Sequence, residues 1–570
     1  MPDPAPTLRC QLTHTPVPLP FGTSGRRGEV KHLTQLEIYL NVRAELEYLC
    51  GLARAEGGIR RGDDFFFGYD LRPSSLAYVP TLGGGALAPA VARAINDSGL
   101  TAVNLGPLPT PALAHFALAR AAGSIMVTGS HIPFDRNGYK LNTACGELLK
   151  NDEAPIARQV EAWRHRLLSE PYARSLFDTA GQFKTPPSLS AIDSRGAASY
   201  VARYVEFFGP SALRGLRVLV YAHSAVGRDL LLETALALGA SAFPMGRSHE
   251  FVPIDTEAID DLTLAHIERL AAVACAEHGR CAAVISTDGD SDRPLLIGLD
   301  FSHGERPRAT FFSGDVVGMV VAETLHPDAV VVPISCNDAI DLSRLSAVLQ
   351  PKTRIGSPYV IVGMQAAAAA GATRVCGWEA NGGFLTASPF TRDGRVLSAL
   401  PTRDAFLPIL TVLSRMAEQN LSMRDIFARL PPRFSRAALL RAIPRTTSLA
   451  IIAALRPAAA FESAPHLALA TAPTLKNLIA EFFTAALGFG EPLTVDYTDG
   501  VRIRFANGDV AHVRPSGNAD ELRIYATADT EARANAMVQA GTAEPHGILR
   551  RLAAAFGTAK ELGANNLVIG

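Results

Sequence analysis

The chain has 570 residues, 48% hydrophobic and 19% charged, the composition of a soluble globular protein too long for a single core. Its 54 basic and 55 acidic residues leave a formal charge of −1, which excludes an electrostatic drive toward nucleic acid or an anionic membrane. Seven cysteines without a close CxxC pair, no apolar run of bilayer length and no signal-peptide pattern at Met1-Pro2-Asp3-Pro4 predict a cytoplasmic protein without a zinc site or disulfide framework.

Short apolar runs alternate with helical patterns from the amino end onward. Leu36 to Ala53 reads as a helix, and Phe65-Phe66-Phe67-Gly68-Tyr69-Asp70 as a buried strand ending in a polar turn. Ser124 to Thr128, Leu216 to Tyr221, Ala282 to Ser286 and Ala329 to Pro333 read as further strands. Helical patterns cover Arg228 to Leu238, Thr263 to Glu277 and Asp315 to Leu325. Such alternation predicts α/β units on mixed or parallel sheets, and continuous apolar strands predict sheets covered on both faces. Polar, Pro-containing stretches at Lys184 to Ser188, His303 to Pro307 and Leu430 to Arg433 divide the chain, and Asp499-Gly500 and Asn507-Gly508 are hairpin signals. The expected architecture is α/β: three α/β mixed-sheet domains over residues 1–187, 188–304 and 305–432, then a C-terminal α+β domain over 433–570.

Five motifs carry possible chemistry. Phe21-Gly22-Thr23-Ser24-Gly25-Arg26-Arg27-Gly28 suits an anion-facing loop, although many N-terminal turns share its composition. Val127-Thr128-Gly129-Ser130-His131-Ile132-Pro133, followed by Asn137-Gly138-Tyr139-Lys140, puts a serine at the carboxyl end of a strand, where α/β folds place reactive groups. An ordinary turn serine fits the same tetrapeptide, while a hydrolase elbow fails because Thr128 and Ile132 stand where glycines are needed. Thr287-Asp288-Gly289-Asp290-Ser291-Asp292-Arg293 sets three carboxylates at alternate positions of one loop, which repel unless a hard cation joins them; a solvated acidic turn is the plainer reading. An EF-hand is excluded by Arg293 at its sixth position and Leu299 at its twelfth. Gly377-Trp378-Glu379-Ala380-Asn381-Gly382-Gly383 offers polar groups for vicinal hydroxyls or a Gly-rich turn. Arg514-Pro515-Ser516-Gly517-Asn518, with Arg523 beyond it, offers a forked phosphate contact or a charged surface loop.

Taken in this order, the five motifs resemble the α-D-phosphohexomutase family over nearly the whole chain. The matches are to its FGTSGxRG opening, its TASHNP phosphoserine loop, its DGDxDR metal loop, its GExSGG sugar loop and its RPSGT phosphate loop. Gly68-Tyr69-Asp70-Leu71-Arg72-Pro73-Ser74-Ser75 and Leu400-Pro401-Thr402-Arg403-Asp404-Ala405 are secondary matches. Gly129, Ile132, Asn381 and Asn518 depart from the family pattern, and Gly356-Ser357-Pro358-Tyr359 lacks the histidine some members carry there. The variants GSHIP and EANGG resemble the bacterial phosphomannomutase branch, which favours mannose over glucose or glucosamine.

The resemblance implies a mutase with four domains around a central cleft, interconverting hexose 6-phosphate and hexose 1-phosphate through a hexose 1,6-bisphosphate. Ser130 would carry the phosphoryl group, with Asp288, Asp290, Asp292 and the phosphorylated Ser130 holding Mg²⁺. Arg27, Lys140 and His131 would stabilise charge or relay a proton. Arg293, Glu379 and Asn381 would bind the sugar phosphate, and Arg514, Ser516, Gly517, Asn518 and Arg523 the phosphate that is not reacting. The implied partner is a small hexose phosphate, with no nucleic acid or membrane, and the implied state is a monomer or homodimer. A sugar-phosphate phosphatase and a non-catalytic sugar-phosphate binding protein are the rival readings.

Overall fold

Apolar strands that can be covered on both faces organise each sheet. The computed structural model describes residues 5–22, 24–257, 259–456, 465–516 and 520–557. The chain gathers into two compact units, Met1–Ala329 with Met364–Phe427, and Val330–Gly363 with Ala428–Gly570.

In the first unit, strand Asp64–Tyr69 lies parallel to Thr101–Pro107 on one side and to Ser124–Val127 on the other. Arg136–Thr143 runs antiparallel to Ser124–Val127 and pairs in turn with Arg26–Glu29. Ser124–Val127 is buried along its whole length, as its unbroken apolar run predicts. Helix Gln35–Gly51 starts where Thr34 caps it, accepting from Glu37 N at 3.2 Å. It stops short of the predicted Ala53, and Gly58, where any Cβ would strike the Leu52 carbonyl, lets the chain fold back against this end. This helix is buried on several faces at once, so its carboxylates need partners: Glu45 pairs with Arg26 and Glu37 with Arg164.

A second, five-stranded sheet has Ala283–Thr287 at its centre, parallel to Arg217–Tyr221 and antiparallel to Pro294–Asp300. Ser241–Met245 and Arg308–Phe312 form its edges. The helices predicted at Thr263 to Glu277 and Asp315 to Leu325 span Asp261–His278 and Gly314–Leu325. A third set of strands, Val375–Trp378, Phe384–Thr386 and Leu400–Asp404, pairs antiparallel.

The second unit is built on a six-stranded antiparallel sheet containing Phe434–Arg441, Glu521–Ala528, Val510–Pro515 and Val501–Phe505. Asn507-Gly508 turns between the last two strands, and Gly500 and Gly508 have φ of 81° and 84°, which L side chains rarely adopt. Asn337 donates to the Arg433 carbonyl at 2.9 Å and Arg433 grips Asp338, which joins the 330–363 segment to this sheet.

Candidate active site

Three of the five motifs leave the carboxyl ends of strands in the first unit. Ser130 follows Ser124–Val127, Asp288 follows Ala283–Thr287 and Glu379 follows Val375–Trp378. The first two meet directly: Ser130 Oγ donates to Asp288 Oδ2 at 2.8 Å, with both residues buried. Ser130 has φ of 54°, a left-handed conformation that is costly away from glycine. A short relay holds it there, since Ser130 N donates to Thr128 Oγ1 at 2.7 Å and Thr128 Oγ1 donates to Asp70 Oδ2 at 2.8 Å.

The three aspartates have ligand oxygens within 4.8 Å of one another, and all three are buried. Lys140 Nζ lies 2.6 Å from Asp290 Oδ2 and 2.5 Å from Asp292 Oδ2. Thr110 Oγ1 adds a bond to Asp290 Oδ2 at 2.6 Å, and Arg403 clamps Asp292 Oδ2 at 3.0 and 2.8 Å. Burial, reinforced by Asp290 and Asp292, holds the Asp288 carboxyl well above the usual carboxylate range. Burial is also the strongest single influence on Asp290 and Asp292 and pushes both upward, but Lys140, Thr110 and Arg27 together at Asp290, and Arg403, Lys140 and Arg293 together at Asp292, carry both below the usual range. Oδ1 of Asp290 and of Asp292 are buried and accept no hydrogen bond. Such oxygens beside a buried serine hydroxyl fit a hard cation with oxygen ligands.

Arg27 approaches the serine loop from the first motif, donating to the Gly129 carbonyl at 3.3 Å and the Ser24 carbonyl at 3.2 Å. Burial lowers its guanidinium to about 10, with Asp290 opposing and Arg293 and Arg403 adding, so it stays charged at neutral pH. Thr23 of that motif lies outside the described residues. His131 Nδ1 is 3.5 Å from Ser130 Oγ. The nearby Arg293 charge, then burial and Arg27, hold this imidazole well below its ordinary value, so it is neutral.

Arg403 joins the aspartate loop to the glycine-rich loop. Its Nη1 donates to Glu379 Oε2 at 2.9 Å while its other nitrogens hold Asp292. A Cβ on Gly383 would lie 2.7 Å from Arg403 Cγ and Cδ, which accounts for a glycine there. Asn381 Oδ1 accepts from Gly383 N at 3.0 Å and shapes the turn. The sequence motifs assign no role to Arg403, Thr110 or Arg72. Arg403 and Arg72 stand in the two secondary motifs, while Thr110 has no local signal.

In the second unit, Arg514 and Arg523 are direct partners across neighbouring antiparallel strands. Like charges placed opposite each other are unfavourable without a counter-anion. Asp499 supplies one at 3.0 Å from Arg514 Nε, and Glu521 one at 3.1 Å from Arg523 Nη2. Ser516 N donates to the Glu521 carbonyl at 2.9 Å, and Gly517 and Asn518 lie outside the described residues. Gly356 to Tyr359 opens helix Ser357–Ala369 and brings no imidazole.

Family models for phosphoglucomutase/phosphomannomutase match this chain in three places: alpha/beta/alpha domain I at residues 18–166, alpha/beta/alpha domain III at 313–434 and the C-terminal domain at 466–542. A phosphomannomutase of Salmonella muenchen is 35% identical over 526 residues, covering 91% of this chain and 94% of that protein. The chain belongs to the phosphoglucomutase/phosphomannomutase family. A phosphomannomutase of Sinorhizobium fredii is 34% identical across 92% of this chain and 98% of its own length. A phosphoglucosamine mutase of Frankia casuarinae is 28% identical over 72% of this chain and 82% of its own. The fold is shared with a solved phosphoglucomutase/phosphomannomutase family protein from Burkholderia thailandensis (TM-score 0.62, 18% identity, covering 94% of this chain and 98% of that one). As a family member the chain is an isomerase, a phosphomutase acting on hexose phosphates. Among the described residues, no helix is long and apolar enough to cross a membrane.

Proposed function

We propose that this phosphohexomutase interconverts mannose 6-phosphate and mannose 1-phosphate, with Ser130 as the phosphorylated carrier and the hexose 1,6-bisphosphate as intermediate and activator. The observation that carries the Ser130 assignment is its 2.8 Å bond to Asp288 inside a buried three-aspartate cluster. The preference for mannose rests on the relatives, phosphomannomutases at 34–35% identity against a phosphoglucosamine mutase at 28%. Residues 1–187, 188–304, 305–432 and 433–570 are proposed as four domains, each supplying one principal loop. A cytoplasmic monomer or homodimer completes the proposal.

Asp288, Asp290, Asp292 and an oxygen on phosphorylated Ser130 would hold Mg²⁺. When bound, that ion would neutralise charge on the transferring oxygens. Arg27 and Lys140 add fixed positive charge around the same atoms and cost no reorganisation at the moment of transfer. Neutral His131 can take the proton of the attacking sugar hydroxyl. As the Ser130 Oγ–phosphorus bond breaks and the sugar oxygen–phosphorus bond forms, that proton ends on Ser130 Oγ. The second transfer runs the same exchange in reverse from the other end of the bisphosphate. Glu379 and Asn381 would orient the ring through O3 and O4, which do not distinguish C2 epimers, with Arg293 a further sugar-phosphate contact. Arg514, Ser516, Gly517, Asn518 and Arg523 would bind the phosphate that is not reacting, by charge-assisted bonds.

Coupled assays with mannose 1-phosphate, glucose 1-phosphate and glucosamine 1-phosphate, run side by side with Mg²⁺ and the matching bisphosphate, test the substrate. The highest kcat/KM is expected with mannose 1-phosphate. A higher value with either other sugar overturns that preference.

A further inference from the structure

Arg72 is buried beneath the serine loop and takes four of its carbonyls at once. Its Nη1 donates to Pro133 O at 2.7 Å and Arg136 O at 2.9 Å, and its Nη2 to Ser130 O at 2.9 Å and Ile132 O at 2.5 Å. Asp70 pairs with its Nε at 3.2 Å. A Cβ at Gly129 would lie 2.7 Å from the same guanidinium, so a side chain there would force Arg72 to shift. Four carbonyl contacts define the loop's shape, including the left-handed turn at Ser130.

Shape alone does not align Ser130 with Asp288, because the two lie on different sheets. The face of the guanidinium is covered by Phe251, whose ring centroid is 3.8 Å from Arg72 Cζ. Phe251 belongs to the connection between strand Ser241–Met245 and helix Asp261–His278, on the aspartate side. The same ring packs against the aspartate loop, since a Cβ on Gly289 would lie 2.6 Å from the Ser130 carbonyl and 3.0 Å from Phe251 Cζ. The next residue is pinned to its own sheet by Val252 N donating to Ser224 Oγ at 2.7 Å. Further on, Thr256 Oγ1 donates to the Asn381 carbonyl at 3.3 Å. One segment therefore reaches the serine loop through Arg72 and touches the aspartate and glycine-rich loops directly.

We propose that Phe251 to Thr256 is a positioning strap, and that the Phe251–Arg72 contact sets the register between Ser130 and the aspartates. The inference rests on Ser130 being the phosphoryl carrier. Phe251 touches no reacting atom; it acts through Arg72 and Gly289. Misplacement of reacting groups by about 1 Å can cost about 100-fold in rate, so a partial loss of this contact should appear in kcat.

The test is steady-state kinetics on the full chain with Mg²⁺ and bisphosphate, using mannose 1-phosphate, or glucose 1-phosphate if the wild type turns that over faster. Phe251→Leu should lower kcat about tenfold with KM within about twofold, while Phe251→Tyr, which keeps the ring face, should hold kcat within about twofold. Arg72→Lys, which loses the fork, should lower kcat at least as far as Phe251→Leu. Should Arg72→Lys fail to fold, the partly exposed Phe251 pair decides alone. Wild-type kcat in Phe251→Leu, an equal loss in Phe251→Tyr, or a loss confined to KM overturns the strap. Ser130→Ala, assayed alongside, separates the two ideas: activity there overturns the carrier assignment, whereas an inactive Ser130→Ala beside a normal Phe251→Leu overturns only the strap.

Discussion

The aspartate loop of the first unit and the arginine pair of the second both manage concentrated charge, and they do so differently. Around the aspartates the closest partners are buried: Lys140 and Arg403 are 7% and 4% exposed and between them touch Asp290, Asp292 and Glu379. Arg514 pairs with Asp499 and Arg523 with Glu521, and the two arginines are 15% and 37% exposed. The first arrangement fixes geometry, because several short bonds share each carboxylate and little water is present to compensate for a lost one. The second leaves its cations available, because a solvated ion pair is cheap to exchange for another anion. The buried cluster suits the proposed reacting phosphoryl group, and the partly exposed pair suits a phosphate that must be bound and released.

This contrast can be broken from either side. The largest effect is expected for Ser130→Ala, which should lower turnover by more than about 10³-fold while leaving the circular dichroism spectrum unchanged and lowering Tm by only a few degrees through loss of the Ser130–Asp288 bond. Asp290→Asn comes next. It should cut kcat about 100-fold and weaken Mg²⁺ binding in calorimetry, and an unchanged Mg²⁺ affinity would remove Asp290 from the metal set. Arg514→Ala should raise KM about tenfold with kcat within about threefold, as removal of a charge-assisted contact to a spectator phosphate does. If kcat falls instead, the arginine pair is not the loosely held counterpart described above.

The smallest effect concerns pH. Burial lowers the imidazoles of His115, His223 and His512 to about 4 from an ordinary 6.5. The unfolded chain therefore binds more protons than the folded one between those values. Stability from these groups is complete above about pH 6.5 and is lost as pH falls toward about 4. His512 packs on the Asp499 carbonyl beside Arg514, so His512→Asn should flatten the acid limb of the Tm profile of the second unit by about 2 °C. An acid limb as steep as the wild type's would assign the effect to other groups.

Much of this protein is legible before any coordinates. The strands at Phe65, Ser124, Leu216 and Ala282 are found because unbroken apolar runs have few other places to go, and the reactive loops follow their carboxyl ends. Helix ends were less legible: the helix predicted to Ala53 ends at Gly51, since the chain's reversal at Gly58 is a packing matter and not a local propensity. The strand at Ala329–Val331 likewise ends before the predicted Pro333, which keeps only an isolated parallel bridge to Thr353.

By itself the sequence picked out the loops that could carry chemistry and the side chains proposed as nucleophile, metal ligands and phosphate contacts, because such readings depend on residue type and short spacing. Only the tertiary structure decided who neutralises whom. Lys140 meets Asp290 and Asp292 across 150 and 152 residues of chain, Arg403 reaches Asp292 across 111, and Phe251 finds Arg72 from the connection that follows strand Ser241–Met245. Residue type names a charge or a ring, but its partner is set by which strands pair and which loops are then buried together. Burial also turns these pairings into constraints, since a charge removed from water must find its counter-charge in the place the fold allows.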